Sequence, residues 1–259
     1  MPEADDLSLL IEAARAAGDI ARGYFKRAPK TWEKPESGGP VTEADLAVNE
    51  MLEERLRSAR PGYGWLSEES PDDPARLEAA RAFIIDPLDG TRAFIEGDHG
   101  WTHSLAVVDR GQVRAAVIYQ PMTDRIYTAA HGHGAQRDGE KITVSATEAL
   151  DGATILASRT NFEPWHWKEA RVPAVTRRFR SSLAYRLGLV GEGRFDAMLN
   201  LRPTYEWDVA AGALIVTEAG GRVTDRLGAS PKFNRPDPML NGIIAAGPRI
   251  HAEIAERLI

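Results

Sequence analysis

Cysteine is missing from all 259 residues. That one absence excludes disulfides, zinc–thiolate sites, iron–sulfur clusters and a cysteine nucleophile. No apolar run approaches the ~18 residues of a membrane span, so no membrane partner is expected. Basic residues form no long run, and the formal net charge is −6. A nucleic-acid polymer demands an electropositive face, so it is not an expected partner. A small anionic substrate stays open, because bound cations can invert a local field. The opening "MPEADDLSLL" is acidic where a signal peptide would be basic, and a cytoplasmic enzyme is the expectation. The phosphate loop GxxxxGK[ST] is absent, as is His/Cys spacing for zinc. There is no internal repeat and no low-complexity segment.

What is present is an ordinary globular composition, 43% hydrophobic and 27% charged, long enough for one large domain or two lobes. Residues 6–26 carry Leu7, Leu10, Ile11, Ala14, Ile20 and Tyr24 near helical spacing. "KPESGGPVTEAD" (34–45) reads as a loop or hairpin. A second helix starts from Thr42, with Asp45 three residues on in a capping-box pattern. "RPGYGWLSEES" (60–70) reads as a turn, a short strand and an acidic pair. Strands are expected at 82–85, 102–108, 112–119 and 125–130, with hairpin turns at "VDRGQV" and "QRDGEK". After about residue 150 helices and strands alternate. A strand is expected at 153–158, helices at 165–175, 182–193 and 207–218, and strands near 222–225 and 242–246. The alternation predicts α/β layering, divided as an N-terminal lobe over 1–149 and a C-terminal lobe over 150–259.

The stretch "IIDPLDGTRAF" poses the chemical question. A buried-looking strand ends in Asp86 and Asp89, three residues apart around a stiff Pro87 turn. Gly90 permits a positive φ, and the Gly90 and Thr91 amides would favour an anion if a helix starts there. Two carboxylates beside an anion repel unless a cation lies between them, which describes a metal site serving phosphate. A helix N-cap with a spare surface aspartate fits the same letters. Glu68 and Glu69 in "SEES" fit a solvated turn, Asp45 in "VTEAD" a capped helix start, and Asp208 in "YEWDVAAGALIVTEAGG" a favourable helix-dipole position. Taken together, Asp45, Glu68, Asp86, Asp89 and Asp208 each fall at an element boundary. Hard oxygen ligands in this number suit Mg²⁺ or Mn²⁺ rather than zinc. "HGHG" (131–134) reads as an exposed hairpin end, and "EPWHW" (163–167) as an aromatic helix start.

"DPLDGT" (86–91) together with "WDVAAGALIVTEAGG" (207–221) resembles the paired signatures of the inositol monophosphatase superfamily, with "VTEAD" and "SEES" in the expected order. The resemblance spans essentially the whole chain. It implies an αβαβα sandwich and a Mg²⁺-dependent, Li⁺-sensitive phosphomonoesterase using two or three Mg²⁺ ions, with Mn²⁺ as a substitute. It further implies a small phosphate ester as partner and a monomer or homodimer. Glu68, Asp86, the Leu88 carbonyl, Asp89 and Asp208 would hold the metals, with Glu69 behind them. Asp45 and Thr91, with Glu68, would serve catalysis by orienting a nucleophilic water. Asp89, Gly90 and Thr91 would meet the phosphate. Inositol-specific members carry a glutamate seven residues before the late aspartate, where this chain has Leu201. "LRPTYEWD" (201–208), "RSSLAYRLGLVGEGRFDA" (180–197) and "DGTRAFI" (89–95) resemble instead the 3'(2'),5'-bisphosphate nucleotidase branch. Arg92 and Ala93 depart from the Lys and Glu of that branch, and histidinol-phosphate phosphatases share a DGTR-like stretch. Ser182, Leu183, Tyr185, Arg202 and Asp208 are the expected substrate contacts. The alternatives are a catalytically silent metal-binding regulatory protein on the same fold, and a kinase or nucleotide-binding module, against which the missing phosphate loop counts.

Overall fold

A computed structural model describes residues 2–34 and 39–259. Part of the expected 34–45 loop, residues 35–38, lies outside the described residues. The first half runs α1 (Pro2–Tyr24), β1 (Thr31–Glu33), β2 (Pro40–Thr42), α2 (Glu43–Ala59), β3 (Gly64–Ser67), β4 (Arg81–Asp89), α3 (Thr91–Ile95), β5 (Thr102–Asp109), β6 (Gln112–Gln120), β7 (Arg125–Ala130), β8 (Ala135–Arg137) and β9 (Glu140–Lys141). The second runs β10 (Thr154–Ala157), β11 (Thr176–Arg178), α4 (Leu183–Gly191), β12 (Ala197–Asn200), β13 (Thr204–Tyr205), α5 (Glu206–Glu218), β14 (Arg222–Thr224), β15 (Met239–Leu240), β16 (Ile243–Ala246) and α6 (Pro248–Arg257).

Strands β3 to β9 form a seven-stranded sheet in chain order, parallel between β3 and β4 and antiparallel beyond. A five-stranded sheet has the order β11-β10-β12-β16-β14. Strand alternation assigns the faces. Phe83 and Ile85 join Leu10, Ala14, Val48 and Leu52 beneath α1 and α2, while Ile84 joins the core around α4 and α5. In the second sheet Leu156, Met198 and Ala245 face that same central core. Ile155, Leu199 and Ile244 face α6 and the buried Trp167. The layers are therefore α1/α2, sheet, α4/α5, sheet, α6, an αβαβα sandwich.

Helix α5 is buried nearly all round because both sheets close on it. Its Gly212 lets α4 approach: a Cβ there would stand 2.4 Å from Leu187 Cβ. No described helix is long and apolar enough to cross a membrane.

One expected element is corrected. Residues 165–175 form no α-helix. Short 3₁₀ turns at Pro164–His166 and Lys168–Ala170 lead to an extended run ahead of β11. Proline at 164 and 173 brackets the segment, and Glu169 and Ala170 take positive φ. Trp167 sets the path instead, fully buried and donating its indole N–H to Asn161 O. The other expected helices and strands are found, with ends shifted by a few residues. "HGHG" is an exposed turn between β7 and β8.

Candidate active site

Asp86 and Asp89 both belong to β4. In a regular strand, residues three apart point to opposite faces. Here Asp86 pairs with Ser104 and Asp89 with Thr102, so β4 carries one residue more than β5 across this stretch. That bulge re-aims the second carboxylate onto the side of the first. Oxygens of Asp86, Asp89 and Asp208 come within 4.8 Å of one another. Asp208 arrives from the first turn of α5, and Ser104 Oγ donates to Trp207 O at 3.0 Å, tying the two sequence motifs together.

Each carboxylate is gripped from behind. Leu88 N donates to Asp86 Oδ1 at 3.0 Å. Ser182 Oγ and Ala184 N donate to Asp89 Oδ2 at 2.7 and 2.6 Å. Thr204 Oγ1 and Tyr205 N donate to Asp208 Oδ2 at 2.8 and 3.1 Å. Burial, and then the neighbouring carboxylates, push Asp86 and Asp208 well above the usual carboxylate range. Burial raises Asp89 to about 6 even against its bonds from Ser182 and Ala184. Among the described residues no lysine or arginine forms an ion pair with these three. Buried, mutually repelling oxygen donors without histidine are the donor set of a hard divalent cation. The residues therefore fit Mg²⁺ or Mn²⁺.

The Asp45–Thr91 pair is assembled beside this trio. Thr42 N and Oγ1 donate to Asp45 Oδ2 at 2.9 and 2.6 Å, completing the capping box of α2. Thr91 Oγ1 lies 3.0 Å from Asp45 Oδ1 and 3.2 Å from the Leu88 carbonyl, so its proton has two acceptors. Burial raises the Asp45 carboxyl above its ordinary value, against the bonds from Thr42 and Thr91. Gly90 has φ +101°, and a Cβ there would meet Gly100 O at 3.2 Å, so glycine is required twice over. Helix α3 is a single short turn of five residues.

Glu68 stands outside the trio. Its Oε1 takes Lys34 Nζ at 2.7 Å, and the same ammonium reaches Glu69 Oε1 at 2.6 Å. Burial disfavours the Lys34 charge, but the two glutamates outweigh it and raise its proton affinity. Burial and the charge of Glu68 lift Glu69 to about 7. The spacing of "SEES" foretold the acidic pair but not Lys34. Nothing in the sequence marks which lysine folds over it.

The expected substrate contacts separate. Ser182 is fully buried, and its hydroxyl bonds Asp89 and caps α4 through Tyr185 N at 2.8 Å. It is corrected from a substrate contact to a support of Asp89. Tyr185 packs against the central core and borders a recess of about 320 Å³ with His99, Gln120 and Phe179. Leu183 packs half-buried on the central core. Arg202 is exposed and donates to Thr160 Oγ1 at 3.3 Å. His103 was not foreseen. It lies fully buried under the Asp86–Asp89 turn, with Nδ1 on Pro87 O.

Comparison with known proteins agrees with this geometry. The family model described as "Inositol monophosphatase family" matches residues 4–259. The chain is 34% identical over 258 residues to the Nus factor SuhB of Escherichia coli strain K12, covering 94% of this chain and 92% of that protein. It is 35% identical over 230 residues to the inositol-1-monophosphatase of Rhizobium meliloti, covering 86% of each. Among solved structures, the Thermotoga maritima IMPase superposes with a TM-score of 0.83 at 29% identity, covering 97% of this chain and 96% of that one. With its carboxylate trio, its Asp45–Thr91 pair and its layered fold, this chain belongs to the inositol monophosphatase family and is a phosphoric monoester hydrolase.

Proposed function

We propose that the chain is a Mg²⁺-dependent, Li⁺-sensitive phosphatase acting on a small phosphate ester, with a 3'(2'),5'-bisphosphate nucleotide as its preferred substrate. Asp86, Asp89, Asp208, Glu68 and the Leu88 carbonyl would hold the cations. When bound, such cations polarise a phosphoryl oxygen and make water a competent nucleophile near neutral pH. The protein does the rest. The Gly90 and Thr91 amides receive phosphate oxygens. Thr91 Oγ1 donates its proton to Asp45 Oδ1 in a hydrogen bond, so its oxygen can accept one from the attacking water. As the water attacks, its proton moves to Thr91 Oγ1 while the Thr91 proton moves to Asp45. Burial gives Asp45 the proton affinity this needs, and Thr42 holds it in place.

The observation behind the bisphosphate reading is at residues 201 and 202. Leu201 is buried at 3% exposure, so no carboxylate meets a polyol from that position. Arg202 next to it is exposed, and among the described residues it has no carboxylate partner. A guanidinium so placed suits a second phosphate. Hydrolysis of inositol 1-phosphate is the second reading, favoured by relatives of that name at 34–35% identity. The test is a substrate panel with and without Mg²⁺. We expect adenosine 3',5'-bisphosphate to show the higher kcat/KM, and a preference for inositol 1-phosphate or histidinol phosphate rejects the branch. A regulatory protein without catalysis would turn over none of them.

A further inference from the structure

Tyr205 and Trp207 stack almost face to face, with ring centroids 4.4 Å apart and planes within 9°. Tyr205 is 41% exposed, and it is among the most exposed large aromatic side chains described. A lone exposed aromatic needs no explanation. This pair differs in two respects.

First, it is held rigidly. Thr204 and Tyr205 pair with Leu240 and Met239 as a two-stranded ladder. The Trp207 carbonyl takes a hydrogen bond from Ser104 Oγ, and the Trp207 side chain packs on the central core. Second, the pair is joined to the metal corner. Tyr205 N donates to Asp208 Oδ2 at 3.1 Å, and Trp207 precedes Asp208 in the chain.

We propose that the Tyr205–Trp207 stack is the specificity element of this site, a platform for a planar ring that the phosphate ester carries. The inference rests on the phosphatase reading above and names the side chains that would recognise the base of a nucleotide substrate. An open aromatic face gains most from another π surface, and every nucleobase has one. A polyol ring has none. Because the two side chains are already stacked and anchored, little ordering cost remains when a base lands on them. Arg202 lies two positions before Thr204, the start of the ladder, and bonds Thr160. Second-phosphate cation, base platform and metal corner thus follow one another along residues 202–208.

The experiment compares two monophosphates in Mg²⁺, adenosine 3'-monophosphate with a base and glycerol 2-phosphate without a ring. It uses wild type, Tyr205→Ala and Tyr205→Phe. The ratio of kcat/KM, nucleotide over glycerol phosphate, should fall about five- to 150-fold in Tyr205→Ala, the range seen when a stacking aromatic is truncated. The fall should lie in KM, and Tyr205→Phe should restore the ratio. A ratio unchanged by Tyr205→Ala overturns the proposal. Equal loss on both substrates also overturns it, because that pattern means Tyr205 only supports Asp208. Both probes carry one phosphate, so the ring test is readable even if the bisphosphate preference fails. Wild type that hydrolyses glycerol 2-phosphate as well as adenosine 3'-monophosphate, or neither of them, overturns the platform, and absence of turnover across the whole substrate panel rejects the catalytic reading.

Discussion

Asp86→Asn changes the charge of the carboxylate trio with little change in shape. The amide oxygen can still accept from Leu88 N, so the turn is expected to survive. In chelator, wild type confines three acidic groups whose oxygens lie within 4.8 Å of each other. Each ionised pair at that separation costs ~3.5 kcal/mol at an effective dielectric of about 20. Part of this is already relieved, because Asp86 and Asp208 hold their protons well above the usual range. The variant should therefore gain on the order of 1–2 kcal/mol, which raises Tm by about 2–8 °C for a chain of this size. Mg²⁺ should reverse the order. At a hundred times its Kd the ion stabilises wild type by about 2.7 kcal/mol, while the variant should lose most of that gain. Thermal unfolding at pH 7.5, in chelator and in a Mg²⁺ series, reads both effects. A variant that melts no higher than wild type in chelator and keeps the full Mg²⁺ shift would refute the trio as the cation site.

Thr91→Ala should lower kcat by about 10²–10⁴-fold while keeping the Mg²⁺-induced rise in Tm, and Thr91→Ser should recover much of the rate. An unaltered kcat removes Thr91 and Asp45 from the mechanism. Arg202→Ala should raise KM for adenosine 3',5'-bisphosphate by roughly 10–150-fold, the worth of a charged hydrogen bond, and spare adenosine 3'-monophosphate. Equal effects on both deny Arg202 the second phosphate. His251 is buried against Thr224, and burial lowers its pKa to about 4. Its neutral form therefore adds stability above the unfolded value near 6.5, and that stability is lost as pH falls toward 4. Urea unfolding should show the gap between wild type and His251→Gln narrowing by about 2–3 kcal/mol from pH 7 to pH 4, and a constant gap contradicts the assignment.

The fold was readable where one face or both faces of an element are buried. Helices α1 and α2 show amphipathic spacing because only one side of each meets the first sheet. β4 shows an unbroken apolar run because helices cover both of its faces. Residues 165–175 misled because their apolar positions have near-helical spacing. Two prolines and the buried Trp167 override that pattern through contacts distant in sequence, including a bridge from Trp167 to Leu258. In the site, the acidic residues stood out as letters, but local pattern did not show that they converge; only the resemblance to a known family implied it. A β-bulge leaves no mark in "DPLDGT" beyond its turn residues. Lys34 and Ser182 meet their partners across 34 and 93 positions, and no local periodicity encodes such pairings.

What the three aspartates share is how their free oxygens are left over. Asp89 and Asp208 each take two donors on Oδ2, one of them a backbone amide at the start of α4 or α5. Asp86 takes the amide of Leu88 on Oδ1. Fixing one oxygen of a carboxylate restricts the direction of the other, and two chain segments, β4 with Asp86 and Asp89 and α5 with Asp208, bring the three carboxylates together. Because each grip includes a backbone amide, it is set by the fold rather than by a neighbouring side chain. The repulsion among the three carboxylates is thus maintained by the sandwich itself. A divalent cation held there would relieve it at a site the fold has already arranged, the condition for electrostatic assistance that needs little reorganisation. The same geometry accounts for Ser182: it is fully buried, and its hydroxyl is one of the donors that fix the Asp89 carboxylate.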